Sequence, residues 1–183
     1  NSTANYTIDT REPVISSVVM SDSVLSAGET STLTITFSEA MTGFDNADIT
    51  LANGTLTAIS SADGGVTWTG TFTPTDDIED TTNVITVGTT LTDLAGNAPL
   101  AGNSSANYTI DTREPVVSSV VMSDSALAVG ETSTLTITFS EAVTNFDNSD
   151  ITLENGTLSA VSSADGGVTW TGTFTPTDDI EDT

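Results

Sequence analysis

The side chains here that could do chemistry are almost all carboxylates. Among 183 residues there are 26 Asp and Glu against two arginines, with no lysine, histidine or cysteine, giving a formal charge of −24. Zinc prefers imidazole or thiolate and finds neither. Calcium takes about six to eight oxygens from carboxylates, amides and backbone carbonyls in a flexible geometry, and it is the cofactor these residues suit. Two carboxylates can also form a glycosidase pair, but such a pair needs a cleft, so the chain does not read as an enzyme. Asp63-Gly64-Gly65 superficially resembles a calcium loop, but the residues after it lack the spaced acids of an EF-hand, and a hairpin turn with glycines at positive φ is the simpler reading.

These carboxylates sit on a repeated framework. Asn1 to Thr81 align with Asn103 to Thr183 at a shift of 102 residues with 70 of 81 positions identical. Most of the differences keep size and polarity, as Ile15 for Val117 or Thr57 for Ser159; Gly43 to Asn145 and Ala52 to Glu154 do not. A period near 100 residues matches one small domain with its own core rather than a solenoid unit. The expected boundaries are a last strand of a preceding domain at 1–10, a complete domain at 11–112, and a second domain at 113–183 truncated before its last two strands. Such offset ends fit a piece of a longer array, or strand donation in which the end of one molecule completes the start of another.

Strict alternation marks the strands. Thr32-Leu33-Thr34-Ile35-Thr36-Phe37 puts Leu33, Ile35 and Phe37 on one face and threonines on the other. In Val66 to Phe72, Trp68 and Phe72 point inward, and Gly70 leaves room between them or marks a bulge. An inward Trp68 is a core residue rather than a sugar-stacking platform. Further strands are expected at Val14 to Met20, Asp48 to Leu51, Thr55 to Ser60, Asn83 to Val87 and Ala106 to Ile110, with a hairpin at Asn53-Gly54. Seven strands per unit with no helical periodicity read as an all-β Greek-key sandwich. The charge excludes nucleic acid and anionic membrane surfaces as partners. No apolar run approaches the roughly 20 residues that cross a bilayer, so direct membrane insertion is not expected.

Assigning strand directions by alternation sorts the acids into two ends. Asp9, Glu12, Glu39, Asp45, Asp48, Asp63, Asp93 and Asn97 fall at the end where the chain enters the complete domain. Asp22, Glu29, Asp76, Asp77, Glu79, Asp80 and Asp111 fall at the other. Stacked domains would crowd these carboxylates together, and a cation would neutralise them. The expected ligands at one junction are Asp9 or Glu12 with Glu39, Asp48, Asp93 and Asn97. At the next they are Asp111 or Glu114 with Glu141 and Asp150. The competing reading is that many are solvated turn residues, where Asp is common.

Several motifs carry a family resemblance: Gly28-Glu29-Thr30, Phe37-Ser38-Glu39-Ala40, Asn53-Gly54-Thr55-Leu56, Trp68 to Pro74, Asp93-Leu94-Ala95-Gly96-Asn97 and Tyr108-Thr109-Ile110-Asp111-Thr112. Together they resemble the bacterial Ig-like repeats of giant RTX adhesins and biofilm-associated proteins, over essentially the whole chain. The resemblance implies tandem immunoglobulin-like Greek-key β-sandwich domains on the bacterial cell surface. It implies an extracellular extender, stiffened by calcium at domain junctions, that holds an adhesive tip away from the cell. The partners it implies are neighbouring Ig-like domains of the same chain. The alternatives are a repeated polysaccharide-binding module, or a filament formed by self-association through strand exchange.

Overall fold

The computed structural model describes residues 4–181. The outermost residues of the repeat alignment, Asn1 to Thr3 with Asp182 and Thr183, lie outside the described residues. The chain divides into two compact units, the first ending at Glu114 and the second starting at Pro115. Among the described residues, no helix is long and apolar enough to cross a membrane.

The strands of the first unit are, in chain order, β1 (Ile15–Met20), β2 (Val24–Ser26), β3 (Ser31–Phe37), β4 (Met41–Thr42), β5 (Ile49–Thr50), β6 (Gly54–Leu56), β7 (Ser60–Ser61), β8 (Thr67–Pro74), β9 (Glu79–Asn83), β10 (Thr86–Val87), β11 (Thr92–Asp93), β12 (Asn103–Ser104) and β13 (Tyr108–Asp111). One face of the sandwich is the antiparallel sheet β1-β3-β8-β6, with β7 also pairing β8. The other is assembled from short ladders: β12-β10-β5, β11-β4, and β2-β13-β9, in which β2 and β13 run parallel. This is the all-β sandwich expected from the alternation, with the immunoglobulin-like architecture that the resemblance implies.

The core lies between the two faces. Leu33, Ile35, Phe37 and Phe72 come from the first; Ile85, Val87, Tyr108 and Ile110 come from the second. Phe44 stacks edge-on against both Phe37 and Trp68, at centroid distances of 5.1 and 5.4 Å, and Phe72 does the same with Tyr108 at 5.4 Å. Trp68 packs against this core, its indole N–H donating to the Gly65 carbonyl. Gly70 provides room rather than a bulge. The β3–β8 register runs unbroken past it, and a Cβ there would lie 3.0 to 3.2 Å from Ile59 and Leu56.

Two sequence expectations need correction. Three expected strands are shortened or divided: Asp48 to Leu51 keeps only Ile49–Thr50, Thr55 to Ser60 divides into Gly54–Leu56 and Ser60–Ser61, and Asn83 to Val87 keeps Thr86–Val87 while Asn83 ends β9. Asn46 sits in a 3-10 turn at Asn46–Asp48; its amide donates to the Leu56 and Thr57 carbonyls and its oxygen accepts from the Ile59 N–H. Asn53-Gly54 is also not a hairpin. It carries the chain across from β5, which pairs β10, to β6, which pairs β8. Asn53 adopts φ 54° and its amide donates to Asp80 and Asn83 of the opposite face. Gly54 is required by packing, since a Cβ there would come within 2.3 Å of the Phe72 ring. A dipeptide suited to tight turns therefore serves a crossover between sheets.

The second unit has β14 (Val117–Met122), β15 (Ser133–Phe139), β16 (Gly156–Leu158), β17 (Ser162–Ser163) and β18 (Thr169–Pro176). They form one sheet, β14-β15-β18-β16 with β17 on β18, in the register of the first unit's β1-β3-β8-β6 sheet. Among the described residues the second unit has no opposing face: residues 126–128, 143–144 and 151–152, the counterparts of β2, β4 and β5, form no strand.

Candidate cation site

Asp93 organises the site. It closes β11 and is buried, and its carboxylate is held by the loop that follows. Oδ1 accepts from the backbone N–H groups of Ala95 and Asn97 at 2.8 Å, while Oδ2 accepts from the Asn97 amide at 2.9 Å. Gly96, at φ 95°, lets the loop fold back so that the Asp93 N–H reaches the Asn97 carbonyl. Burial works against the charged form of Asp93, but the Asn97 amide and these N–H groups outweigh it and hold the carboxyl below its usual range. Asp93 is therefore a carboxylate even where little water reaches it.

Two further carboxylates converge on it. Carboxylate oxygens of Asp9, Glu39 and Asp93 all lie within 4.8 Å of one another. Asp9 is exposed and arrives on the segment leading into β1, where its carbonyl oxygen lies 3.4 Å from the Asn97 amide. Glu39 follows β3 and is half-buried, with an Oε1 that is buried and has no hydrogen-bond partner. Three like charges at this spacing repel one another, and a buried carboxylate oxygen without a donor is costly. The donors are all oxygens on separate elements, which fits a calcium ion and does not fit zinc.

The other expected ligands are placed differently. Asp48 accepts from the Asp45 N–H through Oδ2 and from the Thr90 hydroxyl through Oδ1, capping the 3-10 turn and lying outside the Asp9–Glu39–Asp93 group. Asp150 caps the equivalent turn by accepting from the Asp147 N–H. Glu12 is exposed and lies outside the group, beside Pro13 and Leu100. Asn97 contributes through its amide, as a donor to Asp93. In the second unit, Glu141 has a buried, unpartnered Oε1, as Glu39 does. Asp111 is exposed at the end of β13, and Glu114 is exposed at the close of the first unit.

Asp63 and Asp165 are turn residues. Asp63 Oδ1 accepts from the backbone N–H groups of Thr67 and Val66 and from the Ser61 hydroxyl, and Asp165 does the same from Thr169 and Ser163. The threonine N–H is the largest influence, and together with the serine and threonine hydroxyls and the valine N–H it brings each carboxyl down to about 2. Gly64 and Gly65 take φ 83° and 105°, as a tight hairpin requires. Sequence reasoning named both Glu39 and Glu141 as ligands; the structure adds that each has a buried Oε1 without a hydrogen-bond partner. Both glutamates directly follow the Phe-Ser that ends an inward-facing strand.

The model of the bacterial Ig-like domain family matches this chain twice, over residues 9–110 and 111–183, and the chain belongs to that family. The curated proteins contain no match to it. The family is a structural, non-enzymatic one.

Proposed function

We propose that this tandem of bacterial Ig-like domains is a spacer segment of a secreted bacterial surface adhesin, rigidified by calcium where each linker enters a domain. The reading is supported by one observation above the rest: Asp9, on the linker, brings a third carboxylate to Glu39 and Asp93. A calcium ion bound there ties the linker to the domain it enters and cancels repulsion that otherwise frees it. The sequence repeats the linker as Asp111-Thr112-Arg113-Glu114-Pro115, and Glu141 repeats Glu39. The second domain thus repeats two of the three carboxylates of the clamp, and each complete domain would add about 30 Å or more of reach. The product of such a chain is length, used in cell adhesion or biofilm formation at the cell surface.

Small-angle scattering of an array of complete domains, with calcium and with chelator, tests this reading. Calcium should lengthen and narrow the particle. Identical scattering in both conditions contradicts it.

A further inference from the structure

The crossover at Asn53-Gly54 is built from a chemically labile dipeptide that the fold cannot easily replace. Gly54 has to lack a side chain, because a Cβ would come within 2.3 Å of the Phe72 ring and 2.7 Å of the Thr73 carbonyl oxygen. Asn53 has to hold φ 54°, which asparagine tolerates better than most residues. Its amide nitrogen must also donate twice, to Asp80 Oδ2 at 2.8 Å and to Asn83 Oδ1 at 2.9 Å. An aspartate has the same shape but only accepts when ionised.

Asparagine followed by glycine is also the pair in which the next backbone nitrogen meets least hindrance on its way to the side-chain carbonyl. The Gly54 nitrogen bonds to Asn53 Cγ, the Cγ–Nδ2 bond breaks, and ammonia leaves with the proton that the glycine nitrogen gives up. Water then opens the succinimide ring at either carbonyl, giving aspartate or isoaspartate. In the first unit both partners in this reaction are tied down. The carboxamide is bonded to two residues of β9. The Asn53 carbonyl accepts from the Thr75 N–H at 2.9 Å, and Gly54 is paired in register with Pro74. Ring closure turns the Asn53–Gly54 peptide towards the side chain, so these bonds must break first.

We infer that Asn53 is a deamidation site shielded by the closed fold, and that its modification makes opening of the first unit irreversible. Deamidation to aspartate replaces the double donor with a carboxylate facing the Asp80 carboxylate and the Asn83 oxygen, so acceptors meet without a hydrogen between them and two like charges come together. Isoaspartate instead adds a carbon to the main chain where it crosses between sheets, and shifts Gly54 against Pro74. The fault reaches the strand that closes the sandwich, because Asn83 is 3% exposed and its amide donates to the Tyr108 carbonyl. The inference needs no cation and stands apart from the calcium reading.

The test keeps the full chain at mildly alkaline pH, folded in buffer or unfolded in urea, and follows Asn53 by peptide mapping with mass spectrometry, which reads it apart from Asn155. Deamidation of Asn53 should be at least about a hundredfold slower in the folded chain, as reaction through rare opening requires. Chains modified in urea should fail to regain the protease resistance of the first unit when urea is removed. Asn53→Asp should lower the urea midpoint of the first unit. Adding Asp80→Asn should restore most of that loss, because the exchanged pair again sets a donor against an acceptor. Equal rates at Asn53 in the two states, an Asn53→Asp midpoint equal to that of the parent chain, or a double variant no more stable than Asn53→Asp overturns the inference.

Discussion

Val18 and Val120 occupy the same place in two copies of nearly one sequence, yet the first is 5% exposed and the second 61%. Around them the ladder β1-β3-β8 and its counterpart β14-β15-β18 keep the same partners, including the same irregularity near the start of the first strand. The aromatic cluster also survives: Phe139, Phe146 and Trp170 stack at 5.1 and 5.5 Å, close to the values in the first unit. What differs is the opposing face. One sheet and its loops are therefore specified within the first 70 or so residues of a repeat, whereas burial of that sheet also needs the opposing ladders, in which Ile85, Val87, Tyr108 and Ile110 join Leu25, Met41 and Ile49. Hydrophobic stabilisation scales with the area removed from water, so equal sequences here should have unequal stabilities.

The largest effect should come from truncating the central phenylalanine. Phe72 is fully buried, and Phe72→Ala should cost the first unit about 3–5 kcal/mol. Phe174 is half-buried, and Phe174→Ala should cost its unit less than about 1.5 kcal/mol. Urea unfolding followed by tryptophan fluorescence, with Trp68 or Trp170 removed in turn, reads the two units separately. Equal losses would mean that the opposing face contributes little.

A smaller asymmetry is expected at the crossover glycine. A Cβ at Gly54 would lie 2.3 Å from the Phe72 ring, and one at Gly156 equally near the Phe174 ring. Each Cβ would also lie 2.7 Å from a backbone carbonyl oxygen, of Thr73 or Thr175, so both substitutions are costly; Phe72 is enclosed and cannot yield, so Gly54→Ala should cost about 3 kcal/mol, whereas Phe174 can swing outward and Gly156→Ala should cost about 2 kcal/mol. The same unfolding measurement checks the ratio.

The turn aspartates should show no asymmetry at all. Asp63 and Asp165 both titrate at about 2 in the fold, below the ordinary 3.8, through bonds made within their own turns. A depressed folded value means that their contribution is fully present above 3.8 and is lost as pH falls towards 2. Asp63→Asn and Asp165→Asn should flatten the acid limb of each unit's stability by similar amounts. A difference between the two would show that the turn responds to the opposing face.

The same contrast explains how much was legible from sequence. Alternating Thr32 to Phe37 and Val66 to Phe72 are long, regular and edged by turn residues, and they appear as the central strands. The second face is built of two- to five-residue ladders whose pairing is decided by tertiary contacts. β2, for example, is a strand because β13 lies beside it; residues 126–128 differ from it only at positions 126 and 128 and form no strand without that neighbour. Asn53-Gly54 misled for a related reason, since a residue at positive φ can serve a crossover as well as a hairpin. At the candidate cation site, sequence spacing placed Asp9, Glu39, Asp93 and Asn97 at one end. It could not reveal that Asp48 is occupied with capping, because that depends on the 3-10 turn and on Thr90.

The most direct measurement is thermal unfolding of the whole chain against calcium concentration, alongside Glu39→Gln. Calcium should raise the melting temperature of the first unit in proportion to the logarithm of its concentration above the dissociation constant, as binding to the folded state alone requires. Glu39→Gln should abolish most of that rise while leaving the calcium-free melting temperature unchanged or higher, since one of three repelling charges is gone. A melting temperature indifferent to calcium, or a rise that survives Glu39→Gln, would contradict the calcium clamp.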